Sequence, residues 1–365
     1  MIIQVALAKL CSLGVAVSVS VPQQVPTSLP VDMPKGPEIH GEQIVGSMGV
    51  TETVEEIMAR EAAKAPDETL QKREPRQKHG IDRTGLKNDP RSPDLSQWPP
   101  RERGMAGGDN LRGGDPRTPQ TVGTSFNGPT LGESFSLPPD SMGAPGPTQF
   151  LVFVNGRIRV YSKTGVPGAL NVSADTFWDS VRTTGQGTSD PRVKFDRLTN
   201  RWFICMIDVA TPNRILIAVS SGATITNTSS FTFFQFQSNT ENMLADYPTL
   251  GIDKFALYIG TNDFLNNSFD QMTAYVVKKT SVLGAGPVQS TRFTLAESNQ
   301  DGPFTPQGVD NDDPAATTGY FVGVSNLAFG RLILRRVSNP GATPTISGNI
   351  NLTVPSTAFP LTVTP

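Results

Sequence analysis

Two cysteines and two histidines occur in 365 residues, and each shortage closes a class of chemistry. Cys11 lies in the N-terminal apolar stretch and Cys205 in the middle of a second apolar run, so no intramolecular disulfide is expected. Cys205 reads as a small buried hydrophobe, because a reactive thiolate needs a cationic or imidazole neighbour. His40 and His79 both precede residue 121, which excludes a Ser-His-Asp hydrolase in the remainder of the chain. Aromatic residues are missing from the first third: of 19 Phe, 3 Trp and 5 Tyr, only Trp98 precedes residue 121, although roughly half of the charged residues lie there. Such a segment cannot build a core of its own. The net charge of -2 provides no field to draw in nucleic acid or an anionic membrane, so neither is expected as a partner. No apolar run reaches membrane length, and an integral membrane protein is not expected.

What remains divides the chain into three. Residues 1–20 carry an apolar run from Leu10 to Val19 followed by small residues and Pro22, the pattern of a secretory signal, which predicts a secreted or cell-surface protein. Residues 21–120 are rich in proline, glycine and charge and read as a disordered linker. Within it, residues 51–72 place Val54, Ile57 and Met58 on one helical face, with Thr51 and Thr53 as candidate N-caps, and predict a short, marginal helix.

From residue 121 to 365 the pattern is all-β and repetitive. The run Arg201–Asp208 is apolar at both parities from Trp202 to Ile207, so this strand must be covered on two faces. The hairpin signal Asn155-Gly156 predicts a type I′ turn into RIRVYSK. Outgoing strands begin at Arg157, Arg214, Gln271 and Arg331, spaced by 57, 57 and 60 residues. A period of this size with several strands per repeat predicts β-propeller blades, about four of them, rather than a two-sheet sandwich. A second register agrees: Asp190-Pro191, Asp246-Tyr247-Pro248 and Thr305-Pro306 precede the incoming strands.

The stretches PPDSMGAPGPTQFLVFVNGRIRVYSKTG, SDPRVKFDRLTNRWFICMI and ADYPTLGIDKFALYIGTNDF resemble a family of secreted bacterial proteins with a β-propeller-like, blade-repeat domain of largely unassigned function. The resemblance covers about residues 121–340 and implies a propeller on an exported protein, without implying a chemistry. A further blade would be expected on that pattern. The ring would close small, by TVGTSFNG or ESFSLPP pairing with NINLTVP, or remain incomplete, and the blade count favours the latter.

Candidate site residues follow from the repeat. Asp190, Asp246 and Asp310 are candidates for an acidic ring at one mouth of the channel, and Arg157, Arg214 and Arg331 for a cationic ring that would take a carboxylate or sugar acid. The competing reading makes the aspartates turn caps and the arginines ion-pair partners. Asp263, Asp310, Asp312 and Asp313 offer hard oxygen ligands of the kind calcium prefers, in spacings that match no known calcium loop, so no cofactor is expected. The function that follows is an exported binding or adhesion module for a glycan or a cell-surface protein, without a catalytic constellation. The alternative is a carbohydrate-active hydrolase, sialidase- or glycosidase-like, using aspartates at the channel mouth.

Overall fold

The computed structural model describes residues 38–65, 69–72, 85–93, 123–239, 242–296 and 301–358. The signal segment proposed for residues 1–20 lies outside them.

Four antiparallel sheets follow one another along the chain, each a blade whose strands run in sequence order from the inside outwards. Blade 1 consists of Met142–Pro145, Gln149–Val154, Arg157–Ser162 and Pro167–Ser173. Blade 2 consists of Thr188–Asp196, Arg201–Asp208, Arg214–Ser220 and Ser230–Gln237. In blade 3 the inner edge is split into Met243–Asp246 and Gly251–Ile252, followed by Ala256–Leu265, Ser268–Lys278 and Gln289–Thr294. Blade 4 has Pro303–Gly308, Gly319–Ser325 and Arg331–Ser338, with Thr345–Ile346 and Ile350–Thr353 sharing its outer position. The period read from Arg157, Arg214, Gln271 and Arg331 is therefore the blade repeat; the third strand of blade 3 begins three residues before Gln271.

The double-sided burial of blade 2 is visible in its register. Phe203, Cys205 and Ile207 pair with Val219, Ile217 and Ile215, and these side chains meet Leu257, Ile259 and Val277 of blade 3. The alternate residues Trp202, Ile204 and Met206 face Leu151, Phe153 and Ile158 of blade 1. A third core joins Tyr258, Ala274 and Val276 of blade 3 to Phe321 and Val337 of blade 4. Each gap between successive blades is thus filled with apolar side chains, the main favourable term in holding the stack. Among the described residues no comparable core joins blade 4 to blade 1.

Among the described residues the ends of the domain do not pair with each other to close the ring. Ile350–Thr353 of NINLTVP pairs with Arg331–Leu334 of its own blade, and Ser136–Leu137 of ESFSLPP pairs in parallel with Gln71–Lys72. The Asn155-Gly156 turn also differs from the expected type I′, since only Gly156 has positive φ, at 85°. Asn155 keeps an ordinary backbone because its side chain reaches the next blade, as described below.

The largest departure from expectation lies in residues 21–120. Instead of a free linker, residues 39–62 form a strap across the rim of all four blades. Ile39–His40 pairs with Thr345–Ile346 of blade 4, Glu42–Val45 with Gln289–Arg292 of blade 3, and Val50–Thr53 with Ser230–Phe233 of blade 2. The helix Val54–Ala62 then packs on the outer strand of blade 1. Thr53 is its N-cap: the Glu56 N–H donates to Thr53 Oγ1 at 3.1 Å, and the Thr53 N–H to Glu56 Oε2 at 2.7 Å, a capping box. Val54 and Ile57 are fully buried. The strap strands have one wet face, so their side chains are largely polar and resemble linker composition. No helix among the described residues is long and apolar enough to cross a membrane.

Candidate functional site at the propeller axis

The four inner strands converge around one axis. Where they finish, they enclose a cavity of about 280 Å³ lined by residues of every blade, among them Ala144, Lys194, Ile252 and Asp310. Its charges pair across the axis: Lys194 Nζ lies 2.5 Å from Asp310 Oδ2 and Arg197 Nε 3.7 Å from Asp312 Oδ2. Asp310 Oδ1 also accepts from the Ile252 N–H at 3.0 Å, and Asp313 Oδ1 from the Ala315 N–H at 2.8 Å. These carboxylates are turn caps and ion-pair partners. Among the described residues no three His, Cys, Asp or Glu side chains gather as metal ligands.

The other end of the axis, where the inner strands start, carries the repeated motif. Asp190, Tyr247 and Thr305 have φ of 61°, 54° and 53°, and each precedes a proline. Left-handed backbone at a non-glycine residue before proline is strained twice over, and its recurrence in three blades identifies one structural position. The register places Asp246 one residue earlier, opposite Asn262, as Ser189 lies opposite Ile207. The aspartates expected to form a ring therefore do not. Asp190 and Asp246 occupy neighbouring positions in successive blades, whereas Asp310 lies five residues beyond Thr305, about 16 Å further along the strand, at the finishing end.

Asparagines of the preceding blade hold these bends. The Asp190 N–H donates to Asn155 Oδ1, the Ala245 N–H to Asn213 Oδ1 and the Thr305 N–H to Asn262 Oδ1, each at 3.0 Å. The asparagine of the Asn-Gly signature is thus a latch between blades, which satisfies backbone donors that a bulged strand cannot pair. The aspartates six residues after the strained positions cap the following turns. Asp253 Oδ1 accepts from Phe255 and Ala256 N–H at 2.7 and 2.8 Å, and Asp196 Oδ2 from Thr199 N–H at 3.1 Å.

Beside Asp190 and Asp246 stand two residues that composition and spacing did not single out. The Arg192 guanidinium lies 4.4 Å from the centre of the Tyr247 ring, a cation-π contact between blades 2 and 3. Arg192 is 7 % exposed and Tyr247 39 %, so the arginine backs the ring while the tyrosine remains open to solvent. Tyr247 lies one position after Asp246 and precedes Pro248, while Arg192 follows Pro191.

The expected cationic ring is also replaced. Arg157 Nη1 pairs with Glu61 Oε1 of the strap helix at 3.0 Å, Arg331 Nε with Asp89 at 3.0 Å, and Arg214 Nη1 donates to the Val181 carbonyl at 3.0 Å. Arg157 and Arg331 each fasten a segment that precedes the repeats, and Arg214 the connection between blades 1 and 2, to the third strand of its own blade, away from the axis.

Asp263 belongs to neither mouth. It is fully buried between blades 2 and 3 and accepts from the hydroxyls of Thr261 and Thr273, each at 2.6 Å, and from the Asn239 amide. Burial pushes its carboxyl up to about 6, against the hydrogen bonds of Thr261, Thr273 and Gln271 and the nearby Arg292 charge. With its oxygens engaged by neutral donors, it does not form the calcium site considered from sequence.

No family model matches the chain. No curated protein matches it either. Solved structures similar to it include a GH43 β-1,3-galactosidase with galactodeoxynojirimycin, at 10 % identity over 57 % of this chain and 75 % of that one, with a TM-score of 0.31. Another is an exo-β-1,3-galactanase from Clostridium thermocellum, at 9 % identity over 58 % of this chain and 48 % of that one, also with a TM-score of 0.31. Likeness of this degree leaves the chemistry to the chain's own residues.

Proposed function

We propose that this protein is an exported, carbohydrate-active propeller that seats a saccharide where its inner strands start. The observation that carries the reading is the open ring of Tyr247, held on strained backbone, backed by the Arg192 guanidinium and flanked in successive blades by Asp190 and Asp246. An aromatic face offers apolar contact to the C–H face of a pyranose, and carboxylates accept its hydroxyls. The strain supports the reading because backbone distortion of this kind is retained where the surrounding structure uses it.

Hydrolysis is the second reading. Asp190 and Asp246 are both 8 % exposed at the same end of the axis, and glycoside cleavage needs two carboxylates, one to protonate the leaving oxygen and one to act on the sugar or on water. A glycan and polysaccharide array, followed by Tyr247→Ala, tests the binding reading. Loss of the stacking contact, worth about 0.5–1.5 kcal/mol, lowers affinity by up to about tenfold with the fold intact. No binding to any glycan, or binding indifferent to Tyr247→Ala, refutes it. Turnover of a bound glycan that disappears in Asp190→Asn or Asp246→Asn establishes the hydrolase.

A further inference from the structure

The strap has the features of a ligand more than those of a blade. It visits the blades in the reverse of their chain order, 4, 3, 2 and then 1, and touches each at its outer edge. Its strands contribute ladder hydrogen bonds and few buried side chains: Ile39 and Ile44 only border the cores between blades 3 and 4 and between blades 2 and 3. The apolar anchors are Val54 and Ile57, on a helix that carries its own capping box.

Side-chain contacts of the strap strands with blades 3 and 2 are mostly polar, and the helix adds ion pairs from Glu61 to Arg157 and from Lys64 to Asp179. Gln43 Nε2 donates to Thr291 Oγ1 at 2.8 Å, Thr51 and Thr232 hydroxyls lie 3.0 Å apart, and Glu61 Oε1 accepts from the Ser173 N–H at 2.8 Å. Three glycines let the strap lie flat. A Cβ on Gly41 would stand 2.5 Å from the Arg292 carbonyl oxygen, one on Gly46 2.4 Å from that of Gln235, and one on Gly49 2.6 Å from Thr232 Cγ2.

We propose that the outer rim of the propeller is a strand-acceptor surface and that residues 38–64 are a separable ligand for it, exchangeable with the same segment of a second copy. The chemistry of recognition is strand addition to exposed sheet edges, specified by glycines at the crossings and by a capped helix that inserts two apolar residues. Unoccupied, the edges of blades 2, 3 and 4 would present unpaired N–H and C=O groups, so the rim has a standing affinity for an extended segment of this pattern.

The test uses the full chain with a protease site inserted between Ala65 and Thr69. The folded protein is cut, and a fluorescent synthetic peptide of residues 38–64 is added. The expected result is incorporation of one labelled peptide per cut protein and none into uncut protein, with release of the original fragment. A peptide carrying Gly46→Ala and Ile57→Asp is expected not to incorporate. Failure of the original fragment to leave short of global unfolding overturns the proposal, by showing that the strap is integral to the core. Equal labelling of uncut protein, or incorporation of the doubly substituted peptide, overturns it equally, because binding would then not use this rim.

Discussion

Asp263 couples the interface between blades 2 and 3 to pH. Its carboxyl is raised from 3.8 to about 6 by burial, so the folded state holds this proton more tightly than the unfolded chain does. The stabilising contribution is therefore fully present below about pH 4 and is lost as pH rises through about 6. At 1.36 kcal/mol for each pH unit, the loss amounts to about 3 kcal/mol. Asp263→Asn removes the titration and keeps the shape. Its amide nitrogen can face Thr261, whose hydroxyl accepts as well as donates, while its oxygen keeps the donors from Asn239 and Thr273. Urea unfolding of both proteins between about pH 4 and pH 8 is the assay. The variant gains on the native protein by about 2.5 kcal/mol across that range, nearly all of it before about pH 7. Other titrating groups, present in both proteins, cancel in the difference. Parallel profiles, or a variant that loses ground as pH rises, would refute the assignment of an ionised, poorly solvated carboxylate to this gap.

Lys279 and Asp196 form an ion pair at 2.8 Å with both side chains almost wholly buried; Lys279→Met is expected to cost about 3–5 kcal/mol in urea unfolding by stranding the aspartate. Adding Asp196→Asn to that variant should recover a large part of the loss. Asn213→Ala removes the acceptor of the Ala245 N–H and the donor to the Ala245 carbonyl, and the same assay should register about 2–4 kcal/mol for two buried backbone groups left unpaired. The Cys205 thiol is fully buried and pushed up to about 12 by desolvation; iodoacetamide at pH 8 should leave the folded protein unmodified and label it in denaturant.

The blades were legible because their signals are local. Both-parity apolar runs such as Trp202–Ile207 announce a strand covered on two faces, and arginines at the start of the outgoing strands mark a fixed period. The strap was not legible, since segments such as GEQIVG and VTET acquire strand structure only from edges supplied about 180–310 residues later. Nothing in their composition distinguishes an edge strand from a solvated linker. The site was half legible. Asp190 and Asp246 do lie at one end of the axis, but matching aspartates by motif conceals the one-residue offset that the strained backbone reveals, and with it Tyr247 and Arg192. At the finishing end only Asp313 caps a turn, at Ala315, while Asp310 and Asp312 pair with Lys194 and Arg197.

The reversed path of the strap has a consequence for biosynthesis. Ile39 leaves the ribosome about 300 residues ahead of its partner, Ile346. At about 5–20 residues per second, the first segment waits about 15–60 s for its last seat to be made, while blades 1, 2 and 3 emerge in turn. During that interval the nascent chain exposes both the strap and the growing row of sheet edges that will accept it. A factor that shields one from the other would act in that window, and the strap would settle only after the blades, although it is translated before them.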